Sequence, residues 1–358
     1  VLRTKGAMRD FAWVDRGSAL EPRLDYIHRR TDDLDFYFVS NQRNAPARVK
    51  VTLRAEGSRQ PEIWHPETGR MASAVFWQRE KDGLCSVDLD LAPAESVFVV
   101  FRKPSTDAAG YARLLLNDQA PVSSDTARVT ALEKGLLLRA FAPGNYVLMA
   151  NSGARATWQV ASLPAPKDLS TGWVVSFPVR QGSAEKTLTT LVDWTMLETD
   201  AMKHFSGTAS YTREVEIDAA ELTEGVVAQL DLGGVAVIAQ VEVNGKDCGT
   251  WWKPPFAGDI ASVLKPGKNR ITIRVTNLWG NRLIGDAKLA GVSKQKRDAA
   301  FRRNPFAAPP AWVEAGAPFP DASVSTYTIA PHYSEEDPLA SSGLLGPVTL
   351  RFGRDIMR

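Results

Sequence analysis

Cysteine, histidine and long apolar runs are all scarce in this chain. Its 358 residues include only two cysteines, Cys85 and Cys248, in regions that we assign to different domains, so buried thiols are favoured over a disulfide. The four histidines lie far apart, and none has a second histidine or a cysteine at the spacing of metal ligands: His28, His65, His204 and His332. No apolar run approaches the ~20 residues that a spanning helix needs. These shortages speak against a disulfide scaffold, a zinc site and a membrane-spanning helix.

An excess of charge of one sign is missing as well. The formal net charge is +2 with 23% charged residues, so no strong field attracts nucleic acid or a membrane surface, and we predict neither as a partner. The motifs of several enzyme classes are absent too, namely a Gly-x-Ser-x-Gly nucleophile turn, a glycine loop for phosphate and a Cys-x-x-Cys pair. The chain opens with Val1 and shows no secretion signal, and we expect that it starts inside a longer protein.

The best-defined pattern is a pair of strands in the second half of the chain. Small and branched apolar residues alternate with other residues from Val235 to Val243, which is the period of a strand buried on one face. Asn244-Gly245 then supplies a tight turn, because both residues accept a positive φ. The return strand is expected to end at Trp251-Trp252, where Pro254-Pro255 removes two backbone donors. The stretch predicts antiparallel strands of a β-sandwich.

Short strand patterns recur along the whole chain, and no helix is predicted anywhere. We therefore predict an all-β protein. The predicted ranges are residues 1–24 for the tail of a preceding catalytic domain, 25–104 for a β-sandwich, 105–164 for a small accessory β-unit and 165–358 for a last β-domain. In the last domain Gly291–Pro320 is predicted as a loop without regular structure, and the opening strand Gly172–Phe177 is expected to pair with the final strand Pro347–Phe352. The loop carries a basic cluster of Lys294, Lys296, Arg297, Arg302 and Arg303.

Several motifs resemble those of one glycoside hydrolase family. In the last domain they are Ser206–Tyr211, Val243–Ile260, Leu264–Asn269, Val275–Asp286 and Ser342–Val348. Upstream they are Tyr26–Arg30, Phe38–Asn41, Pro61–Pro66 and Ser96–Phe101. In this order they make the chain resemble the C-terminal part of the family 106 enzymes, the α-L-rhamnosidases and their relatives. The resemblance implies that the last domain is a galactose-binding-like jelly roll.

The resemblance also implies an activity, a location and partners. It points to an enzyme that hydrolyses α-L-rhamnosides in plant or microbial polysaccharides, in the periplasm or outside the cell. Its catalytic carboxylate pair would lie in a (β/α)₈ barrel, so the implied partners are a rhamnose-containing glycan and a missing N-terminal barrel domain. No cofactor is required, and a structural Ca²⁺ stays open, since jelly rolls of this superfamily sometimes hold one.

No catalytic residue is predicted in this chain, which by itself is expected to be inactive. Its acidic clusters, Asp32-Asp33-Asp35 and Glu335-Glu336-Asp337, lie in polar turns rather than at the ends of barrel strands. Solvated surface is the expected role of both clusters.

A candidate sugar-binding site follows from residue chemistry. Sugars present apolar C–H faces and hydroxyl rims, so a site needs an aromatic platform with polar groups at its edge. The candidates are Trp251, Trp252, Lys253, Asp259, Asn277, Trp279, Asn281, Arg282 and Asp286. The same residues fit a structural role, because tryptophans beside prolines plug the end of a sandwich and Arg–Asp pairs hold loops. That role is favoured for Asn277 to Asp286, while the two alternatives are balanced for Trp251 and Trp252.

Two further classes of function compete with the rhamnosidase hypothesis. One is a non-catalytic carbohydrate-binding or purely structural module. The other is a fragment of a family 2-type β-glycosidase, such as a β-galactosidase or β-mannosidase, which shares the jelly roll. In family 2 the sugar-binding domain leads the chain and the barrel follows, whereas here the motifs around Asn41 precede the jelly roll, which favours family 106.

Overall fold

The structure, a computed structural model, describes residues 9–55, 57, 59–81, 83–104, 110–119, 121–179, 182–303, 314–317, 326 and 332–358. The chain forms two compact units. Unit 1 comprises Val1–Ala165, Thr223–Ala228 and Arg351–Arg358, and unit 2 comprises Pro166–Leu222 and Gln229–Leu350. Strands dominate both units, so the predicted all-β class is confirmed.

The regular elements follow one another as a succession of short strands. The strands are β1 (Phe11–Asp15), β2 (Leu24–Arg30), β3 (Asp35–Asn41), β4 (Ala47–Arg54), β5 (Arg59–His65), β6 (Arg70–Ser73), β7 (Trp77–Arg79), β8 (Leu84–Leu91), β9 (Ser96–Pro104), β10 (Tyr111–Leu116), β11 (Ala127–Ala131), β12 (Leu136–Ala140), β13 (Gly144–Ala150), β14 (Arg155–Val160), β15 (Lys167–Asp168), β16 (Trp173–Val179), β17 (Gly182–Leu188), β18 (Thr208–Ile217), β19 (Val226–Asp231), β20 (Gly234–Ala236), β21 (Ile238–Val243), β22 (Lys246–Trp251), β23 (Ala257–Asp259), β24 (Gly267–Thr276), β25 (Gly343–Gly346) and β26 (Thr349–Met357). The α-helices are α1 (Asp200–Lys203), α2 (Gly280–Leu289) and α3 (Lys294–Arg303), and single 3₁₀ turns lie at Trp194–Met196, Ala219–Glu221 and Ala261–Val263.

The first part of unit 1 is a two-layered sandwich. A four-stranded sheet in the order β1-β4-β8-β7 packs against a five-stranded sheet in the order β2-β3-β9-β5-β6. Along β4, Val49, Val51 and Leu53 are buried, and the residues between them are half-buried. This is the period of two that places alternate side chains on opposite faces of a sheet. The inward residues of both sheets form one continuous apolar core.

A strand lies within residues 1–24, the stretch that was predicted as the tail of a preceding domain. β1 pairs antiparallel with β4, with Phe11 opposite Leu53 and Asp15 opposite Val49. Phe11 enters the core of the sandwich, whereas Val14 near the other end of the strand is exposed. The strand was missed because it is short and lies at the edge of its sheet, where exposure blurs the alternation.

The second part of unit 1 has its own small core. The strand signals at Leu136–Leu138 and Tyr146–Leu148 are confirmed as parts of β12 and β13. The sheet β10-β13-β14 forms beside the pair β11-β12, and residues 354–357 of β26 extend that pair. Backbone N–H groups of residues 110 and 111 bond to carbonyls of residues 77 and 75, so these strands continue directly from the sandwich. The predicted boundary near residue 104 stays a prediction.

Unit 2 is built on a six-stranded antiparallel sheet in the order β17-β16-β18-β24-β21-β22. The predicted hairpin between β21 and β22 is confirmed, and Asn244 and Gly245 take φ angles of 54° and 79°. Nδ2 of Asn244 donates to Oδ1 of Asn269 at 2.8 Å, which joins this turn to the neighbouring turn before β24. Trp173, Phe177 and Tyr211 are among the aromatic residues buried in this unit.

The pairing expected for the final strand of unit 2 is wrong. β16 pairs with β17 and β18, whereas Thr349 and Leu350 at the start of β26 pair with Asp168 and Lys167. The strand that pairs with the start of β26 is therefore the short β15, a few residues upstream of the expected one. A two-residue strand carries no detectable period, so the stronger apolar pattern of β16 drew the prediction.

The expectation that the chain has no helix is also wrong. α2 buries Asn281, Ile284 and Gly285, which is helical spacing, but two of these residues are not hydrophobic. α3 lies inside the stretch Gly291–Pro320, which was predicted to lack regular structure. Its Lys, Arg, Gln and Ala residues are good helix formers, yet they are polar nearly all round and leave no apolar stripe to detect. Residues 304–313 and 318–320 of that stretch lie outside the described residues.

Candidate functional site

The predicted sugar-site residues follow the ends of neighbouring strands in unit 2. Ala239 of β21 lies opposite both Trp251 of β22 and Val275 of β24. Adjacent strands are ~4.8 Å apart, so the ends of β22 and β24 are separated by roughly 10 Å. Residues 252–256 and 277–279 therefore leave the sheet at the same end.

Trp251 faces the buried side of this sheet. Directly opposed residues in a ladder share a face, and the row companions Ala239 and Val275 are fully buried. The indole lies on the backbone of Gly258, where an added Cβ would come within 2.5 Å of Cζ2 of Trp251. This packing supports the structural alternative for Trp251.

The next residue in the chain behaves differently. Trp252 is 58% exposed, and Nζ of Lys253 lies 6.0 Å from the centroid of its ring. Trp279, at the other strand end, is 66% exposed. Both indoles are thus accessible to a ligand.

Two exposed apolar residues accompany these tryptophans, and sequence reasoning missed both. Ile238 begins β21, and Leu278 stands between the candidates Asn277 and Trp279. Their only signal is a large apolar side chain at the very end of a strand. We call the set the sheet-end patch: Ile238, Trp252, Lys253, Leu278 and Trp279.

Asn277 and Asn281 meet at one hydroxyl group. Nδ2 of each donates to Oγ of Ser342 at 3.1 Å. Asn277 also bonds two backbone groups just before β18, and Asn281 bonds the N–H and the carbonyl of Ala340, both at 2.7 Å. Both amide hydrogens and the carbonyl oxygen of each side chain are engaged. The two residues hold chain segments together, as the favoured structural role requires.

The remaining candidates also bond within the protein. Arg282 and Asp286 form an i,i+4 ion pair along α2. Oδ2 of Asp286 accepts hydrogen bonds from the backbone N–H and the hydroxyl of Thr326, both at 2.7 Å. Oδ1 of Asp259 accepts from the N–H of Ala261 at 3.1 Å, which begins a 3₁₀ turn. These contacts support the structural alternative for all three residues.

Asp35 departs from the expectation that its acidic cluster is solvated. Its carboxylate is buried and lies 2.5 Å from Nε2 of His28, while Nδ1 of His28 lies 3.0 Å from the carboxylate of Asp10. His28 therefore connects the two carboxylates, and this arrangement was not visible in the sequence because its members come from different segments.

The second acidic cluster caps a helix. Glu336 accepts the N–H of Lys294 at 2.9 Å, and this bond lowers the pKa of Glu336. Asp337 accepts the N–H of Ser334 at 2.8 Å and Nη1–H of Arg297 at 2.6 Å, which together hold the pKa of Asp337 below its usual value. A general acid needs a raised pKa, so neither carboxyl suits that role.

Two further properties concern the described part of the chain. Within it, no three histidine, cysteine, aspartate or glutamate side chains come together as metal ligands. Its helices also lack the combination of length and apolar character that crossing a bilayer requires. The structural Ca²⁺ stays a prediction.

Comparison with known proteins shows that the chain is similar to glycoside hydrolases. The profile of the α-L-rhamnosidase family, glycoside hydrolase family 106, matches residues 1–78. A rhamnosidase from Novosphingobium sp. PP1Y has a similar structure, with a TM-score of 0.63 and 27% identity over 99% of this chain and 26% of that one. A putative β-glucuronidase from Formosa agariphila is 25% identical over 91% of this chain and 42% of its own length.

These similarities confirm the predicted resemblance to the rhamnosidase family. They show a relationship to glycoside hydrolases across nearly the whole chain. The chain spans less than half the length of both relatives, namely 26% and 42%. The galactose-binding-like jelly roll and the domain boundaries stay predictions.

Proposed function

We propose that this chain is the non-catalytic, carbohydrate-binding part of a larger α-L-rhamnosidase-like glycoside hydrolase, and that its sheet-end patch holds the glycan. The supporting observation is the pair of exposed indoles, Trp252 and Trp279, at the ends of nearby strands, with Lys253 beside one of them. An indole gives the C–H face of a sugar a rigid platform, and an ammonium group donates to hydroxyls.

In this proposal the bond-breaking carboxylates lie outside the chain. A glycosidase needs two carboxyl groups facing each other, ~5–5.5 Å apart for retention or ~6.5–9.5 Å for inversion. The acidic clusters described above instead pair with His28 or cap α3. The greater length of the relatives leaves room for a barrel domain. The complete enzyme would act in the periplasm or outside the cell on a rhamnose-containing polysaccharide.

The similarity to a putative β-glucuronidase supports a second candidate. Here the chain is part of a family 2-type β-glycosidase whose substrate carries a uronic acid. Lys253 would then pair with the carboxylate of the sugar while Trp252 packs on its ring.

Titration with sugars tests the proposal and separates the two candidates. Tryptophan fluorescence of the folded chain is followed against rhamnose oligosaccharides and against glucuronic acid oligosaccharides. Trp252→Ala and Trp279→Ala are each expected to weaken binding of the rhamnose ligand about tenfold, because each removes one stacking platform. Melting temperatures should stay within about 2 °C, because both side chains are exposed.

Met196→Ala is the matched control, since Met196 is an exposed apolar residue of unit 2 outside the patch. It should bind as the wild type does. If the folded wild-type chain binds neither oligosaccharide, the sugar-binding proposal fails and a purely structural module is left. Binding of the glucuronic acid ligand alone would favour the second candidate.

A further inference from the structure

A groove runs along one open side of the sandwich in unit 1. It has a volume of about 580 Å³ and is lined by Arg9, Phe11, Ala12, Trp13, Leu24, Asp25 and Tyr26. These residues belong to β1 and β2 or directly precede β1. Among the described strands, each of these two is the edge of its own sheet, so the groove lies between two strand edges. Backbone N–H and C=O groups along such edges have no ladder partner and can bond a ligand.

The aromatic wall of the groove is held in place before any ligand arrives. The rings of Phe11 and Tyr26 stack at 4.4 Å with an interplanar angle of 15°. Phe11 is packed in the core of the sandwich, so its ring holds the ring of Tyr26 in place from the core side. At one end, His28 of β2 contacts Asp10, which directly precedes β1, and so ties the two strands together. A ligand therefore meets a preorganised surface and loses little affinity to ordering it.

Tyr26 presents both features that sugar recognition needs. It is 40% exposed although Phe11 covers one face of its ring, so other ring surface is open to solvent. Its hydroxyl has no hydrogen-bond partner within the described residues, and the same holds for the side chains of Arg9 and Asp25. Aromatic surface beside unused polar groups is the combination that binds C–H faces and hydroxyls.

We propose that this groove is a second carbohydrate-binding site, which takes a neutral segment of a glycan chain. One arginine and one aspartate line it, so it offers no excess of charge for a polyanion. An open groove suits a polymer that continues at both ends, whereas a closed pocket suits a single small molecule. The site lies in unit 1 and shares no residue with the sheet-end patch of unit 2. It goes beyond the proposed function and can fail independently of it.

The ten tryptophans of the chain give an experiment that observes both sites at once. In a ¹H–¹⁵N spectrum of the whole chain each indole N–H contributes one signal, and single Trp→Phe variants assign them. The probes are a neutral rhamnose oligosaccharide and, as an unrelated glycan, a dextran oligosaccharide. We expect the Trp13 signal to shift with the first ligand, separately from those of Trp252 and Trp279.

Variants at the groove then test the stacking. Tyr26→Leu retains apolar contact with Phe11 but removes the ring, and it is expected to weaken the Trp13 response about tenfold. Tyr26→Phe keeps the ring and loses the hydroxyl, so an intermediate loss is expected. Ile27→Ala is the matched control, because Ile27 is exposed on the same strand and does not line the groove. The responses of Trp252 and Trp279 should be the same in all three variants.

Different outcomes would overturn the proposed binding site in the groove and the proposed binding site at the sheet-end patch. Shifts at Trp252 and Trp279 without a shift at Trp13 remove the groove site and leave the proposed function standing. A shift at Trp13 alone supports the groove and removes the patch. A Trp13 response that Tyr26→Leu leaves unchanged overturns the groove proposal. Concentration-dependent dimerisation that Tyr26→Leu abolishes also overturns it, because the groove would then be a protein interface.

Discussion

The carboxylate of Glu62 in unit 1 is buried and is surrounded by three hydrogen-bond donors. It is 2% exposed, and Oε2 accepts from Nε of Arg102 at 2.7 Å and from Nε1 of Trp64 at 3.1 Å, while Nζ of Lys103 lies 2.6 Å from Oε1. Burial raises the pKa of Glu62, but the bonds from Arg102, Lys103 and Trp64 outweigh burial, and the pKa ends below 4.5. The group therefore stabilises the fold in its ionised form.

Glu62→Gln is expected to lower the free energy of unfolding at pH 7 by about 1–2 kcal/mol, because charge-assisted bonds become neutral ones. Because the pKa of Glu62 is lowered in the folded state, the stabilisation by the ionised carboxylate is complete above pH 4.5. It is lost as the pH falls through the folded-state pKa. Urea unfolding at pH 7 and pH 3 measures this. The gap between wild type and variant should narrow at the lower pH, and an equal gap at both would contradict the assignment.

Asn281 and Trp252 were grouped in one candidate site, yet they should respond in opposite ways to truncation. Asn281 is 2% exposed and uses its whole amide, so Asn281→Ala is expected to cost about 2–3 kcal/mol, because it removes three hydrogen bonds and leaves the N–H of Ala340 without its partner. Trp252→Ala should change stability by no more than about 0.5 kcal/mol. Thermal unfolding of both variants decides the point. A stable Asn281→Ala protein with impaired sugar binding would assign Asn281 to the ligand instead.

At the scale of elements, β22 is fixed against β23 by an indole lying on a glycine. Gly258→Ala is expected to lower stability by about 1–3 kcal/mol, because the new Cβ would overlap Trp251 and force the ring to move. Gly280→Ala is the matched control: its Cβ would meet only ordinary contacts, 3.5 Å from Oη of Tyr333, at the start of α2. That variant should be neutral or slightly stabilised. Equal effects of the two substitutions on the melting temperature would show that the overlap is relieved at no cost.

Local chemistry decided which elements could be predicted. The turn at Asn244-Gly245 was predictable because its two residues tolerate positive φ without help from the rest of the fold. α2 was not predictable, because its buried residues Asn281 and Asp286 are polar and form hydrogen bonds to segments far along the chain. β15 was not either, since its pairing with β26 is set by the tertiary structure and not by its own two residues.

At the scale of the whole molecule, the central question is whether these residues can hydrolyse a glycoside. We expect the isolated chain to release no aryl group from an aryl α-L-rhamnoside above the uncatalysed rate, because none of its described acidic clusters offers a facing carboxylate pair. An aryl β-D-glucuronide serves as the second substrate. The assay is meaningful only with folded protein, which circular dichroism verifies. Turnover that follows the purified chain through chromatography would refute the assignment of catalysis to another domain.

The predicted sugar-binding site stays a prediction, and the structure separates its residues into exposed ones and ones bonded within the protein. The candidates were chosen by residue type, and the register of β21, β22 and β24 brings Trp251 and Val275 into the same row near one end of the sheet. The sequence alone could not assign different roles to Trp251 and Trp252. The face of the sheet on which a side chain lies depends on which residues of the neighbouring strands are opposite it. The sequence analysis also passed over the groove of unit 1, whose wall joins Phe11 and Tyr26 from strands in different sheets.

The shared hydroxyl of Ser342 has a consequence for how this protein tolerates change in length. Asn281 begins, and Ala340 to Ser342 end, a long excursion of the chain, and their mutual bonds clamp its two ends side by side. With both ends held, the entropic cost of closing this part of the chain rises by only about 0.6 kcal/mol for each doubling of its length. A short insertion between the two ends is therefore expected to cost little stability, provided that it leaves the bonds of α2 and α3 in place.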